Sequence, residues 1–232
     1  MHEVDSGPRK QKSLTALTSI VLALLAALVV VGLALGTSGE VQAQTLTPNQ
    51  KFAALTVKAA GTMDGYSREK FPHWSDATEY GWTIPSGTPD PSYCDARDGA
   101  LIRDGQGTER IGPYCDVNYG TWFDPYGGYT HHDPSDIDID HIVPLANAWR
   151  SGASSWTTAT RARFSNARLD VLSVDDGLTA SMGDKGPEAW KPPRTAYHCT
   201  YARKWVNIKY YWTLSVTSAE KTALKSMLST CP

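Results

Sequence analysis

The sequence predicts an α+β domain in which a loop-rich, disulfide-fastened N-terminal part is followed by short strands and helices. Three observations predict it. Asp136 to Val143 alternates acidic and β-branched residues, the period-two pattern of a strand with one polar face. Tyr197, Tyr201, Trp205, Ile208 and Trp212 recur at spacings of three and four, the pattern of a long helix with one aromatic, core-facing side. From Gly61 to Pro134 the chain is dense in Gly, Pro, Asp, Tyr and Trp without long periodic stretches, as loops and short strands require.

Composition sets the outer bounds. With 41% apolar, 10% aromatic and 20% charged residues, the 232-residue chain is neither disordered, collagenous nor a multi-span membrane protein. Its formal net charge of −2 conceals two halves of opposite sign. Residues 44–149 carry 7 Lys/Arg against 15 Asp/Glu, whereas residues 150–232 carry 12 against 6. The acidic half can gather metal-binding carboxylates and the basic half can attract phosphates; mutual attraction of the two faces is the alternative use of the same charges.

In chain order, Arg9, Lys10 and Lys12 precede an uncharged run from Leu14 to Gly36, and Val41-Gln42-Ala43 offers small residues at the −3 and −1 positions of a signal-peptidase site. Residues 1–43 are therefore expected to be a cleaved signal peptide, leaving one secreted, monomeric domain over residues 44–232 with no stable membrane association. The apolar run is long enough to serve instead as an uncleaved membrane anchor with the domain outside. Next, Thr47 caps a short helix expected from Pro48 to Ala60. Cys94, Cys115, Cys199 and Cys231 all lie in the exported part, where an even number reads as two disulfides among three connectivities. Pairing nearest neighbours gives Cys94 with Cys115 and Cys199 with Cys231, each stabilising by about 2–4 kcal/mol. Pro144 ends the alternating strand, Leu145 to Arg150 is helical up to Gly152, and Thr157 to Asn166 is a further helix. Leu169 to Val174 is a second strand, and Thr217 with Glu220 forms a capping-box pattern before a last helix carrying Leu224 and Leu228.

Chemistry concentrates in Asp138-Ile139-Asp140-His141-Ile142-Val143-Pro144-Leu145. A histidine directly after a carboxylate at a strand end lets one group hold a metal while the other takes a proton. His141, with a near-neutral ordinary pKa, suits a general base. Asp140 is a hard oxygen ligand suited to Mg²⁺, which takes one or two protein carboxylates and keeps waters and substrate phosphates.

The stretch DIDHIVPLANAW resembles the His-Me finger (HNH) endonucleases, in the branch related to the C-terminal domain of GmrSD-type restriction endonucleases. The resemblance extends upstream through Tyr66, Arg68, Phe71, Trp74, Cys94 to Arg97, Cys115, Gly120, Trp122 and Tyr126. Downstream it takes in Arg150 to Ala153, Gly183-Asp184-Lys185, Glu188 to Pro193, Cys199, Tyr201, Trp205 and Lys209. It implies a ββα-metal core, two strands and a helix cradling one divalent ion, Mg²⁺ with Mn²⁺ as the alternative. It implies His141 as general base and Asp140 as metal ligand of a phosphodiesterase acting on DNA, with RNA as an alternative substrate. Arg97 is then the candidate guanidinium at the scissile phosphate, and Arg150, Arg161, Arg163 and Arg168 are candidate nucleic-acid backbone contacts.

Several positions depart from that pattern. Asp170 stands where the family has a bracing asparagine at the start of the second strand, Thr179 where it has a metal-facing asparagine, and Met182 where it has a lysine; Ala167 replaces an acid after Asn166. A threonine hydroxyl is a weaker oxygen ligand than an amide carbonyl. Asp138, two residues from Asp140 on the same strand face, is the replacement ligand expected first, with Asp175 and Asp176 as others. Three functions therefore compete: an extracellular metal-dependent endonuclease of little sequence specificity, a weakened or inactive relative that binds nucleic acid or another partner, and an aromatic-rich surface-binding module.

Overall fold

The computed structural model describes residues 46–107 and 109–232; the expected signal segment of residues 1–43 lies outside them. Helix α1 (Pro48–Ala54) starts at a complete Thr47/Gln50 capping box. It ends earlier than the expected Ala60, because Leu55 turns extended and Val57 pairs with Val216 in an isolated parallel bridge. Two β-branched residues, Thr56 and Val57, favour that extended path.

The middle of the chain is irregular, as expected, apart from one helix that periodicity did not announce. This is α2 (Ala96–Asp104), held at its start by the reciprocal Asp95 and Asp98 capping box. It is followed by β1 (Arg110–Ile111), β2 (Val117–Tyr119), β3 (Trp122–Phe123) and β4 (Thr130–His131), which form two small antiparallel pairs. Both expected disulfides are present, Cys94–Cys115 and Cys199–Cys231.

The alternating segment forms β5 (Ile137–His141), shorter than expected at both ends. Asp136 belongs to a 3-10 turn, and Ile142 and Val143 bend toward Pro144 and α3 (Leu145–Arg150). Helix α4 (Thr158–Ser165) leads through Asn166 to β6 (Val171–Asp175), which pairs antiparallel with β5 so that Asp140 faces Leu172 and His141 faces Val171. Helix α5 (Asp176–Met182) follows at once, capped by Asp175. Helices α6 (His198–Tyr211) and α7 (Ser218–Leu228) complete the chain.

This α+β arrangement has two cores. Tyr201, Trp205 and Ile208 of α6 are buried with Phe71, Tyr126, Phe164 and Leu224, so the aromatic stripe packs inward. Trp82, Leu101, Trp122 and the Cys94–Cys115 pair form the second core. The antiparallel β5–β6 pair stands between them: Ile137, Ile139 and Val171 join the second, while Val174 joins the first together with Ile142 and Val143 just after β5. Anchored on both sides by apolar burial, the strand pair holds the Asp140–His141 step in a fixed place.

Candidate active site

Asp140 and His141 line one cavity of about 370 Å³. Neighbouring side chains on a strand point to opposite faces, so the cavity wraps round the end of β5 to Pro144 and Leu145. Arg68, Trp74 and Arg97 contribute from upstream loops and α2, and Thr179, Gly183 and Asp184 from α5 and its exit. Gly183 has φ +51°, a backbone region that side chains disfavour, and it turns the chain so that Asp184 also reaches the cavity.

Asp140 is buried and accepts a 2.8 Å hydrogen bond on Oδ2 from the Tyr126 hydroxyl. Tyr126 is itself held by the turn after β3, where Asp124 accepts from the backbone N–H groups of Tyr126 and Gly127. Burial pushes the Asp140 carboxyl up to about 7; the Tyr126 hydrogen bond opposes that shift, Asp138 adds to it and Arg68 reduces it. An ionised carboxylate in such a place calls for a cation.

His141 is oriented from behind. Its Nε2 lies 2.8 Å from the Ser165 carbonyl oxygen, which can only accept, so Nε2 carries the hydrogen and the neutral ring keeps its lone pair on Nδ1. Burial pushes the imidazole down to about 3; the Ser165 carbonyl acts the other way, and the charges of Arg68 and His73 add to the lowering. Trp74 lies against the ring, with centroids 5.7 Å apart and planes 24° off parallel. Trp74 has φ +58°, a strained value for a large residue, and its loop is tied to the same turn that holds His141. Asn166 accepts from the Ser75 N–H and donates to the Pro72 carbonyl, and the Ser165 hydroxyl also donates to Pro72.

The structure sorts the remaining sequence-predicted residues. Arg97 lines the cavity, its guanidinium 3.5 Å from the Ile137 carbonyl. Asp138 is exposed and lines it too. Thr179 lines it with its hydroxyl hydrogen directed to the Asp175 carbonyl, which leaves the oxygen as an acceptor. Asp175 is instead the α5 cap, 3.3 Å from His131, and neither it nor Asp176 lines the cavity. Asp170 does not line it either. It is fully buried beside Trp212 with neither carboxyl oxygen hydrogen-bonded, and burial raises its pKa well above the ordinary range. The Trp212 indole favours the ionised form, but its N–H lies outside hydrogen-bond geometry. Met182 is buried against the Tyr201 hydroxyl, so the lysine-to-methionine departure alters the core rather than the cavity.

The four predicted phosphate contacts do not form one patch. Arg161 must be removed from that set: it is buried over the Trp149 ring and its donors are spent on the Lys70 and Trp156 carbonyls and on Thr158. Arg150 donates to the Asp184 carbonyl beside the cavity, while Arg163 and Arg168 line a different cavity. Sequence reasoning placed Arg68, Trp74 and Tyr126 in the resemblance but assigned them no role. No three His, Cys, Asp or Glu side chains come together as a metal-binding group among the described residues. Asp140, Asp138 and the Thr179 hydroxyl are thus hard oxygen donors that could hold a cation, with Asp184 a further carboxylate on the cavity wall. That set fits Mg²⁺, which accepts few protein carboxylates and completes its shell with water.

Residues 115–227 match the family described as GmrSD restriction endonucleases, C-terminal domain. A protein of Arthroderma benhamiae described as an uncharacterized secreted protein is 48% identical over 187 residues, covering 80% of this chain and 85% of the relative. The matched segment, residues 115–227, belongs to the GmrSD C-terminal-domain family. The family match spans β5, β6, α5 and Tyr126 but begins after Arg68, Trp74 and Arg97, so one wall of the cavity comes from residues outside it. No solved structure matches the chain. Among the described residues no helix is long and apolar enough to cross a membrane.

Proposed function

We propose that this protein is a secreted, divalent-metal-dependent endonuclease that hydrolyses phosphodiester bonds of DNA, and of RNA as a second substrate, with little sequence preference. The carrying observation is that His141, which lines the same cavity as Asp140, has Nε2 committed to the Ser165 carbonyl and so keeps its lone pair on Nδ1. In this reading β5, β6 and α5 are the ββα-metal core of the HNH type.

Asp140, supported by Asp138 and Thr179, would hold Mg²⁺ or Mn²⁺; when bound, the cation supplies Lewis-acid neutralisation of phosphate charge. His141 Nδ1 takes the proton of the attacking water. An entering phosphate brings negative charge that favours the imidazolium, so the buried ring gains proton affinity when substrate arrives. The Ser165 carbonyl then stabilises the charged ring through the Nε2–H it already holds. Arg97 and Arg68 add positive charge on the cavity wall. Among the described residues no separate base-reading module accompanies the site, so phosphate contacts dominate and affinity falls steeply with salt.

Plasmid nicking by the purified protein in Mg²⁺ or Mn²⁺ tests the reading. Cleavage should vanish with chelator and in His141→Ala, with unchanged circular dichroism showing that the variant is folded. An unaltered protein that never nicks refutes it. The inactive-relative reading, favoured by Thr179 and Asp170 replacing asparagines, then predicts that Thr179→Asn with Asp170→Asn creates activity.

A further inference from the structure

We propose that a second cavity, of about 600 Å³, at the end of α6 and the loop after α4, binds an unpaired nucleotide of single-stranded nucleic acid. Tyr80, Arg163, Arg168, Leu169, Tyr211 and Trp212 line it, and Glu79 is the one carboxylate among its lining residues.

Core packing accounts for Tyr201 and Trp205 but not for Tyr211, which is 68% exposed at the last position of α6. Tyr211 meets Trp212 edge to face, 5.3 Å apart at 82°, and its exposure leaves its ring accessible beside the cavity. A nucleobase offers a flat π surface to such a face whatever its identity. The guanidinium groups supply what a purely apolar ligand would leave unused. Arg168 is held in place, donating to the Gly81 carbonyl at 3.4 Å and lying 5.9 Å over the Trp82 ring. The Arg163 side chain is exposed and makes no hydrogen bond or ion pair with the described residues. One positioned cation and one without a partner among the described residues, beside the exposed Tyr211 ring and the half-buried Tyr80 and Trp212 rings, match a base flanked by phosphates. In a duplex those base faces are covered, so the fit is to an unpaired strand.

The segment between α4 and β6 joins the two sites. The Ser165 carbonyl orients His141, while Ala167, Arg168 and Leu169 line this second cavity. The inference rests on the endonuclease reading for its purpose and names the unpaired strand as the form of substrate held.

The test is fluorescence anisotropy on the full chain carrying His141→Ala, in chelator, with a short labelled single-stranded DNA and a matched duplex. Single strands should bind more tightly than duplex. Tyr211→Ala should weaken single-strand binding about tenfold, and Arg163→Gln should both weaken it and flatten the salt slope by about 0.7. Both side chains are exposed, and unchanged circular dichroism checks the fold. The proposal is overturned if single strands do not bind, if neither variant changes their affinity, or if duplex binding falls equally. Plasmid nicking by the protein with His141 intact is read separately: absent nicking with a Tyr211-dependent single-strand affinity sinks the nuclease reading and leaves this site standing. Nicking with no such dependence sinks this site alone.

Discussion

The Tyr126 hydroxyl donates to Asp140 Oδ2 at 2.8 Å, both groups being buried. Tyr126 comes from the loop after β3 and Asp140 from β5, so the bond ties the carboxylate to a different supersecondary unit. It favours the ionised form against the larger penalty of burial.

Tyr126→Phe should therefore leave Asp140 harder to ionise and less fixed in orientation. Removing an outer partner of a metal-ligating group typically costs about 10–100-fold in metal affinity. The expected outcome is a rise of that size in the Mn²⁺ concentration for half-maximal nicking, with a stability loss of only about 1 kcal/mol. Manganese titration of activity beside urea unfolding separates the two effects; unchanged metal dependence would mean that Asp140 is not a ligand.

Asn166→Ala should unfold the protein more readily and disturb the His141 site together. Its side chain accepts from Ser75 and donates to Pro72 and Ala162, and it is fully buried. Each partner left unpaired costs about 1–3 kcal/mol where water cannot replace the bond. A urea midpoint close to that of the unaltered protein would contradict this bracing role.

Local pattern made much of the fold legible. The alternation of β5, the aromatic spacing of α6 and the Thr217/Glu220 cap of α7 each depend on neighbouring residues alone. The two cysteine pairings followed from proximity in sequence. Helix α2 escaped because its buried residues include Gly99, a weak helix former whose small size is dictated by distant Trp82: an added Cβ would lie 2.8 Å from that ring. The cavity wall escaped for the same reason. Arg68 and Trp74 reach Asp140 and His141 only through the folded loop, and the Asn166 anchor spans 91 residues to Ser75. Arg161 looked like a surface cation until burial over Trp149 showed its donors spent on backbone carbonyls.

Asp170→Asn should stabilise the protein at neutral pH. The carboxyl is buried without a hydrogen bond, so its folded-state pKa is raised and the folded state holds a proton that the unfolded chain has released. A raised acid contributes stability below its unfolded pKa that is lost as pH climbs toward the folded value. Asparagine does not titrate, so the variant should show a flatter stability profile above about pH 4 and gain about 1–3 kcal/mol near neutrality. Thermal melts across pH provide the check; parallel profiles for the two proteins would show that Asp170 does not titrate as its burial demands.

Lys209 offers the opposite sign. It is fully buried on α6, with Nζ donating to Asn147 Oδ1 at 2.5 Å and the Ser215 carbonyl at 3.0 Å, and lying 3.6 Å from Glu220 Oε1. Burial pushes its pKa from 10.5 down to about 8, against the pull of Glu220. Below pH 8 the amine is charged in both states. Between about 8 and 10.5 the unfolded chain binds the extra proton, so stability from this group rises with pH, at up to about 1.4 kcal/mol per pH unit. Lys209→Met removes that rise and leaves Glu220 buried without its cation, costing about 3–5 kcal/mol at neutral pH. Adding Glu220→Gln should recover part of the loss by removing the unpaired charge while retaining an acceptor for Asn147. Urea unfolding at pH 7 and pH 9.5 measures both effects; a Lys209→Met protein as stable as the original at pH 7 would show that the ion pair is replaceable by apolar packing alone.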